Sequence, residues 1–256
     1  HHSKAHAEGK PLIHQSRAEG GAHLGRLHAS IVAAMRVEIV TDLVCPWCYI
    51  GKRRFDAALD RLGADGVTLD LQVAYRAFQL DPRAPFDAPT PVRDAYAAKF
   101  GSLERADKIL AEVTQVAAHS GIEFRMQHAL RANTMRAHRL LKIVAARAEL
   151  LVSATNESVM RAYFSEGRDI GDTSTLIECA RRAGFGNDLA DDAWLAKEIA
   201  STTHDDISAA IEADFAWNQA NDVTAVPTFV VNDSLRIPGA QDTDTFVRLL
   251  ARIASQ

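Results

Sequence analysis

A mostly β-branched apolar run over residues 37–44 leads without a break into Cys45-Pro46-Trp47-Cys48, and that junction constrains the fold more than any other stretch. Val37, Ile39, Val40, Leu43 and Val44 predict a strand that ends at the first cysteine. Behind it, Ile50, Phe55, Ala58, Leu59 and Leu62 recur at helical spacing, with Gly63 as the stop. Pro46 falls at the first helical position, where its missing N–H costs nothing. Cys45 is therefore expected at a helix N-terminus.

Unpaired N–H groups and the positive end of the helix dipole favour a thiolate at such a position. Lys52, Arg53 and Arg54 are expected to add positive charge nearby. Cys48, three residues on, shares the helix face of Cys45 and can close a small disulfide ring with it. A C-x-x-C that follows a strand and opens a helix is the thioredoxin-type redox arrangement. Two other uses of the pair compete with it. Structural zinc needs two further ligands, and no second pair or ordered Cys/His cluster follows. A purely structural disulfide across so short a loop would constrain the unfolded chain very little.

The rest of the composition narrows the class. With 256 residues, 47% of them apolar, the chain has ample material for a core. A formal charge of −4 without a basic block gives no reason to expect nucleic acid or an anionic membrane as a partner. No apolar run approaches the ~20 residues of a membrane span. Three cysteines do not make a disulfide framework, which favours a cytoplasmic setting. Six of the ten histidines lie in the first 28 residues, so residues 1–34 read as a tag remnant and leader, with Met35 as the natural start.

Val67, Leu69, Leu71, Val73 and Tyr75 alternate along residues 67–78 and predict a second strand, parallel to the first through a right-handed crossover. From residue 92 to 221 the chain turns Ala-rich. Helices are expected over residues 92–119, 134–151, 158–164, 173–183, 191–199 and 205–219, with Asp172 as an N-cap. Cys179 reads as a small buried thiol, with a resolving thiol as the alternative, and His128, His138 and His204 as ordinary histidines. Strand signal returns at Thr228-Phe229-Val230-Val231, turns at Asn232-Asp233-Ser234 and continues through Leu235-Arg236-Ile237 into a last helix over residues 244–253. The expected class is α/β: a βαβ…ββα sheet domain from residues 35–91 and 222–256, with a helical domain, residues 92–221, inserted in it.

The chain resembles the DsbA family of thioredoxin-fold proteins, and in particular its FrnE-like branch. The likeness is carried by Cys45 to Cys48 with Tyr49-Ile50-Gly51, Phe78-Gln79-Leu80-Asp81-Pro82, Asn133-Thr134 with Ala137-His138-Arg139, and residues 161–170. It implies a thiol–disulfide oxidoreductase with Cys45, Cys48 and a cis Val226-Pro227 step at the catalytic centre. Pro46, Trp47, Val226, Phe78, Gln79 and Asn133 are then candidates for substrate contact. From the residues alone, Pro227 could equally open an edge strand in trans, and Asn133 and the Phe78-Gln79 stretch could serve capping and packing. A neighbouring branch resembles glutathione transferase kappa and 2-hydroxychromene-2-carboxylate isomerase, which implies a glutathione-dependent isomerase or transferase as the alternative. No cofactor beyond the Cys45–Cys48 pair is expected, with glutathione as a candidate thiol. The expected partner is a disulfide-containing protein or small molecule, with a homodimer as one open state.

Overall fold

The structure, a computed structural model, describes residues 34–255. Strand β1 (Ala34–Thr41) ends four residues before Cys45 rather than at it as expected, because Leu43 and Val44 make a turn closed by the Cys45 N–H on the Asp42 carbonyl. Helix α1 (Pro46–Ala64) follows, and β2 (Asp70–Ala77) returns beside β1. The leader expected over residues 1–34 lies outside the described residues, except for Ala34, which begins β1. β1 and β2 are parallel, from Ala34 opposite Asp70 to Thr41 opposite Ala77. The second strand starts later than the alternation suggests because Val67 still closes the end of α1, its N–H bonding the Leu62 carbonyl at 2.9 Å. Gly66, at φ +80°, supplies the left-handed turn after Gly63 and Ala64 have continued the helix.

The chain then leaves the sheet. It forms β3 (Thr90–Pro91), α2 (Val92–Phe100), α3 (Leu103–His119), β4 (Leu130–Arg131), α4 (Met135–Arg147), α5 (Val152–Phe164), α6 (Thr173–Arg182), α7 (Asp192–Ala200) and α8 (Asp206–Ala220). It returns as β5 (Thr228–Val231), β6 (Leu235–Pro238) and α9 (Thr243–Ala254). The four-stranded sheet has the order β2-β1-β5-β6, with β5 antiparallel to both neighbours. Asn232 and Asp233, both at positive φ, make the tight β5–β6 hairpin.

Three helices differ from the sequence expectation, and one of them, expected over 158–164, already begins at Val152. The segment 92–119 is two helices, because Gly101 adopts φ 102° and Ser102 caps α3 by accepting the Arg105 N–H at 3.1 Å. The helix expected over 134–151 stops at Arg147. Ala148 leaves the helical region at φ −156° and ψ 67°, Glu149–Leu151 form a 3-10 turn, and α5 starts at Val152. Asp172 caps α6 as expected, its side chain accepting the Thr175 N–H at 2.8 Å.

Helix α1 joins two apolar clusters. Its second half, through Phe55, Ala58 and Leu62, packs on the sheet and α9, where Phe55, Phe229 and Phe246 meet with ring centroids 4.8–5.5 Å apart. Its first turns, through Cys48, Tyr49 and Ile50, are embedded in the cluster built by the helices, where Tyr49 stacks on Phe124 and Phe164. Burial in both clusters fixes the helix end that carries the cysteines. Among the described residues no helix is long and apolar enough to cross a membrane.

Candidate active site

Cys45 is the N-cap residue of α1, in extended backbone at φ −87° and ψ 114°, and Pro46 follows in the first turn. The Cys45 N–H bonds the Asp42 carbonyl at 3.1 Å, and the Cys45 carbonyl accepts from the Cys48 and Tyr49 N–H groups. This turns the chain from strand to helix at the thiol itself. Cys45 is 4% exposed and Cys48 2%, while the Trp47 indole between them is 45% exposed. The thiols thus sit just below an apolar, solvent-facing side chain. Cys45, Cys48 and Cys179 are all free thiols, and Cys179 is buried with its thiol donating to the Ser158 carbonyl at 3.6 Å.

The two thiols of the pair have different surroundings. Cys45 Sγ donates to the Val226 carbonyl oxygen at 3.7 Å, and the Val226–Pro227 peptide that carries this oxygen is cis. Burial, and then the hydrogen bond and charge of Cys45, push the Cys48 thiol well up, against weaker help from the Thr41 side chain and the Asp42 backbone. Cys48 therefore keeps its proton at neutral pH. Gly51, one turn further along α1, lets the helix lie against this loop: a Cβ there would meet Pro227 Cγ at 3.1 Å and Ala240 Cα at 3.4 Å.

The basic run after the cysteines is spent elsewhere than expected. Lys52 pairs with Asp56 at 2.6 Å and Glu157 at 3.3 Å, and Arg53 pairs with Glu157 at 3.1 Å. Tyr49 also donates to Glu157, at 2.7 Å, and burial together with this carboxylate pushes its phenol up. Arg54 bonds the Ser120 hydroxyl and the Ala240 carbonyl. These groups anchor α1 to α3, α5 and the loop before α9, so a thiolate at Cys45 must draw on the helix terminus rather than on their charge.

The remaining candidates fall on one loop and its clasp. Phe78 extends the β1–β2 ladder, its N–H bonding the Thr41 carbonyl at 3.0 Å. Gln79 Nε2 donates to Asn133 Oδ1 at 3.2 Å. Asn133 is buried, and its amide is fully occupied: Nδ2 donates to the Ala84 and Pro82 carbonyls, and Oδ1 also accepts the Met135 N–H. The structure thus brings Cys45, Cys48, Pro46, Trp47, Val226 and Pro227 together at one end of the sheet. It sets Phe78 and Gln79 on the adjoining loop, with Asn133 behind that loop as its clasp.

Three neighbours escaped the sequence reading. Asp42 is fully buried and accepts the exposed Leu80's N–H at 2.7 Å. His138, read as ordinary, lies beside it with Nε2 2.9 Å from the Phe78 carbonyl and 3.5 Å from Asp42 Oδ1. Facing two acceptors, this nitrogen carries the ring proton. The third is Tyr96 of α2, whose phenol is pushed up to about 12 by burial and by the charge of Cys45. It stays neutral and packs against the apolar cluster that holds both cysteines. No residue spacing links Tyr96 to Cys45, so only the fold could find it. Among the described residues no group of three or more His, Cys, Asp or Glu is arranged to hold a metal.

Known proteins resemble this chain over most of its length. The family described as a DSBA-like thioredoxin domain matches residues 36–251. The uncharacterized protein YwbO of Bacillus subtilis is 26% identical over 224 residues, which is 85% of this chain and 96% of that protein. A probable DsbA oxidoreductase from Streptomyces coelicolor superposes with a TM-score of 0.69 at 31% identity, covering 87% of this chain and 91% of its own. The cytosolic disulfide reductase DsbM from Pseudomonas aeruginosa shares the fold, with a TM-score of 0.58 at 16% identity over 86% of this chain and 98% of its own.

Proposed function

The chain belongs to the DSBA-like thioredoxin domain family, and from that premise we propose that it is a cytoplasmic thiol–disulfide oxidoreductase working through Cys45 and Cys48. One observation carries the reading: the two thiols are unlike. Cys45 caps a helix and faces the Val226 carbonyl at the end of the sheet, while burial and its neighbour hold Cys48 protonated. That division suits an attacking and a resolving thiol.

In this scheme the Cys45 thiolate attacks one sulfur of a substrate disulfide R–S–S–R′. The S–S bond breaks, R′S⁻ leaves and takes a proton, and Cys45–S–S–R forms. Cys48 then loses its proton and attacks Cys45 Sγ. RS⁻ leaves, the Cys45–Cys48 disulfide forms, and two electrons have passed to the substrate. Two equivalents of an external thiol, with glutathione as the candidate, reset the pair. The first attacks Cys45 Sγ and releases Cys48; the second attacks the sulfur now bound to Cys45, and Cys45 leaves as thiolate while the two external thiols depart as their disulfide. Disulfide donation to a dithiol substrate runs the first two exchanges backwards. Cys45 sits at the helix terminus, and Trp47 gives an apolar substrate a surface. The backbone at Val226 and Pro227 suits an extended substrate segment laid beside the thiol.

The test is a pair of variants assayed with a disulfide substrate. Cys45→Ser should abolish turnover, and Cys48→Ser should accumulate the mixed disulfide, seen as a mass increase that thiol reductant removes. Full activity in Cys45→Ser would sink the scheme. Turnover that survives Cys48→Ser and saturates with glutathione would instead favour a glutathione-dependent isomerase or transferase.

A further inference from the structure

Away from the cysteines, a cavity of about 400 Å³ lies between the N-terminal turn of α4, the end of α7 and α8. Met135, Ile199, Ile211 and Phe215 line it, and Phe86 stands at its edge on the loop clasped by Asn133. Its size falls in the range of small-molecule sites, and its wall is largely apolar. Two arginines border it, and they differ. Arg139 is spent: Nε donates to the Glu198 carbonyl, and the two terminal nitrogens bond Asp205 and the Ser208 hydroxyl.

Arg136 is not spent. Its Nη1 bonds Asp87 Oδ1 at 2.8 Å and the Gly171 carbonyl at 2.9 Å, while Nε and Nη2 have no partner among the described residues. The side chain is 21% exposed and lies over the Phe86 ring, 5.2 Å from its centroid, whereas its partner Asp87 is 80% exposed. The Nε–Nη2 edge of a guanidinium is the edge that takes a carboxylate in two parallel bonds, and here it can do so without breaking either existing bond. Asp87 and Glu212 also line the cavity, which makes a second negative charge on the occupant unfavourable.

We infer that this cavity binds a small monocarboxylate with an apolar body, the body lying on Met135, Ile211 and Phe215 and the carboxylate held by Arg136. The site is independent of the thiol pair. Octanoate and its neutral counterpart 1-octanol are the probes, titrated calorimetrically into the full chain. Octanoate should bind saturably at one per chain. Arg136→Gln should weaken octanoate at least tenfold and octanol less than twofold, and Ile211→Trp, which fills the cavity, should weaken both. Arg136→Gln should also keep the disulfide-exchange rate, so failure here leaves the proposed reaction standing. Absence of saturable octanoate binding, or equal loss of both probes in Arg136→Gln, overturns the inference. Unchanged binding in a folded Ile211→Trp overturns its location.

Discussion

Replacing Asn133 by Ala removes four hydrogen bonds from a buried position. Two have short geometry, Nδ2 to the Ala84 carbonyl at 2.9 Å and the Met135 N–H to Oδ1 at 3.0 Å, and two are longer, to the Pro82 carbonyl at 3.3 Å and from Gln79 at 3.2 Å. At about 1 kcal/mol for each of the first two and about half that for the others, the loss sums to roughly 3 kcal/mol. No side chain is left to take over the Ala84 carbonyl, and the first N–H of α4 loses its cap. Against a usual total of about 5–15 kcal/mol, this is a large fraction. Urea unfolding, followed by circular dichroism, should show a midpoint lower by about 1 M for a slope near 3 kcal/mol/M. Asn133→Asp keeps the acceptor for Met135 and Gln79 but sets a carboxylate against the Ala84 carbonyl, so it should be less stable at pH 7 than at pH 4. A direct substrate contact predicts a different pattern: weaker substrate binding at unchanged stability. Asn133→Ala within about 0.5 kcal/mol of the parent protein would refute the clasp.

Three further outcomes follow from the same geometry. Gly51→Ala should cost about 1–3 kcal/mol in a thermal melt, since its Cβ would lie 3.1 Å from Pro227 Cγ; unchanged stability would mean that the loop yields. Burial is the largest cause pushing the Cys48 thiol up and still acts when Cys45 carries thionitrobenzoate, so release of thionitrobenzoate from that mixed disulfide should accelerate as pH rises from roughly 7 to 9. A flat profile there would contradict the protonated resolving thiol. Arg139 holds the Asp205 carboxyl well below the usual carboxylate range, so the pair stabilises the fold above the unfolded value of about 3.9, and that contribution is lost as pH falls through the lower folded value. Asp205→Asn, which can still cap α8, should therefore be less stable than the parent at pH 7, with a gap that narrows as the medium is taken below about pH 4.

The helix start behind Cys45 was legible because its signals are local, Pro46 in the first turn and apolar residues at helical spacing behind it. The strand end was not, since Leu43 and Val44 read as strand formers but sit in the turn after Thr41. The hairpin at Asn232-Asp233 was legible from local signals too, since both residues tolerate positive φ. The break at Ala148 was not, because alanine carries no stop signal and the neighbouring helices decide where the turn falls. Nor was the two-residue pairing of Thr90–Pro91 with Leu130–Arg131, which proximity alone creates. At the site, the thiols and the Val226–Pro227 step were named from sequence, but the partners of Lys52, Arg53 and Arg54 were not. In sequence their charge is free for Cys45; in the fold Glu157, over a hundred positions away, pairs with Lys52 and Arg53. Asp42, His138 and Tyr96 escaped for the same physical reason: their meaning lies in contacts between distant segments.

The account stands most directly on whether Cys45 and Cys48 cycle as one pair. Equilibrium titration in glutathione buffers, read by Trp47 emission in a Cys179→Ala background, measures this with a reporter that lies between the two thiols. A single reversible two-electron transition is predicted between about −120 and −270 mV, the range spanned by strong oxidants and reductants of this chemistry. Absence of any transition, with both thiols staying reduced throughout, would contradict it.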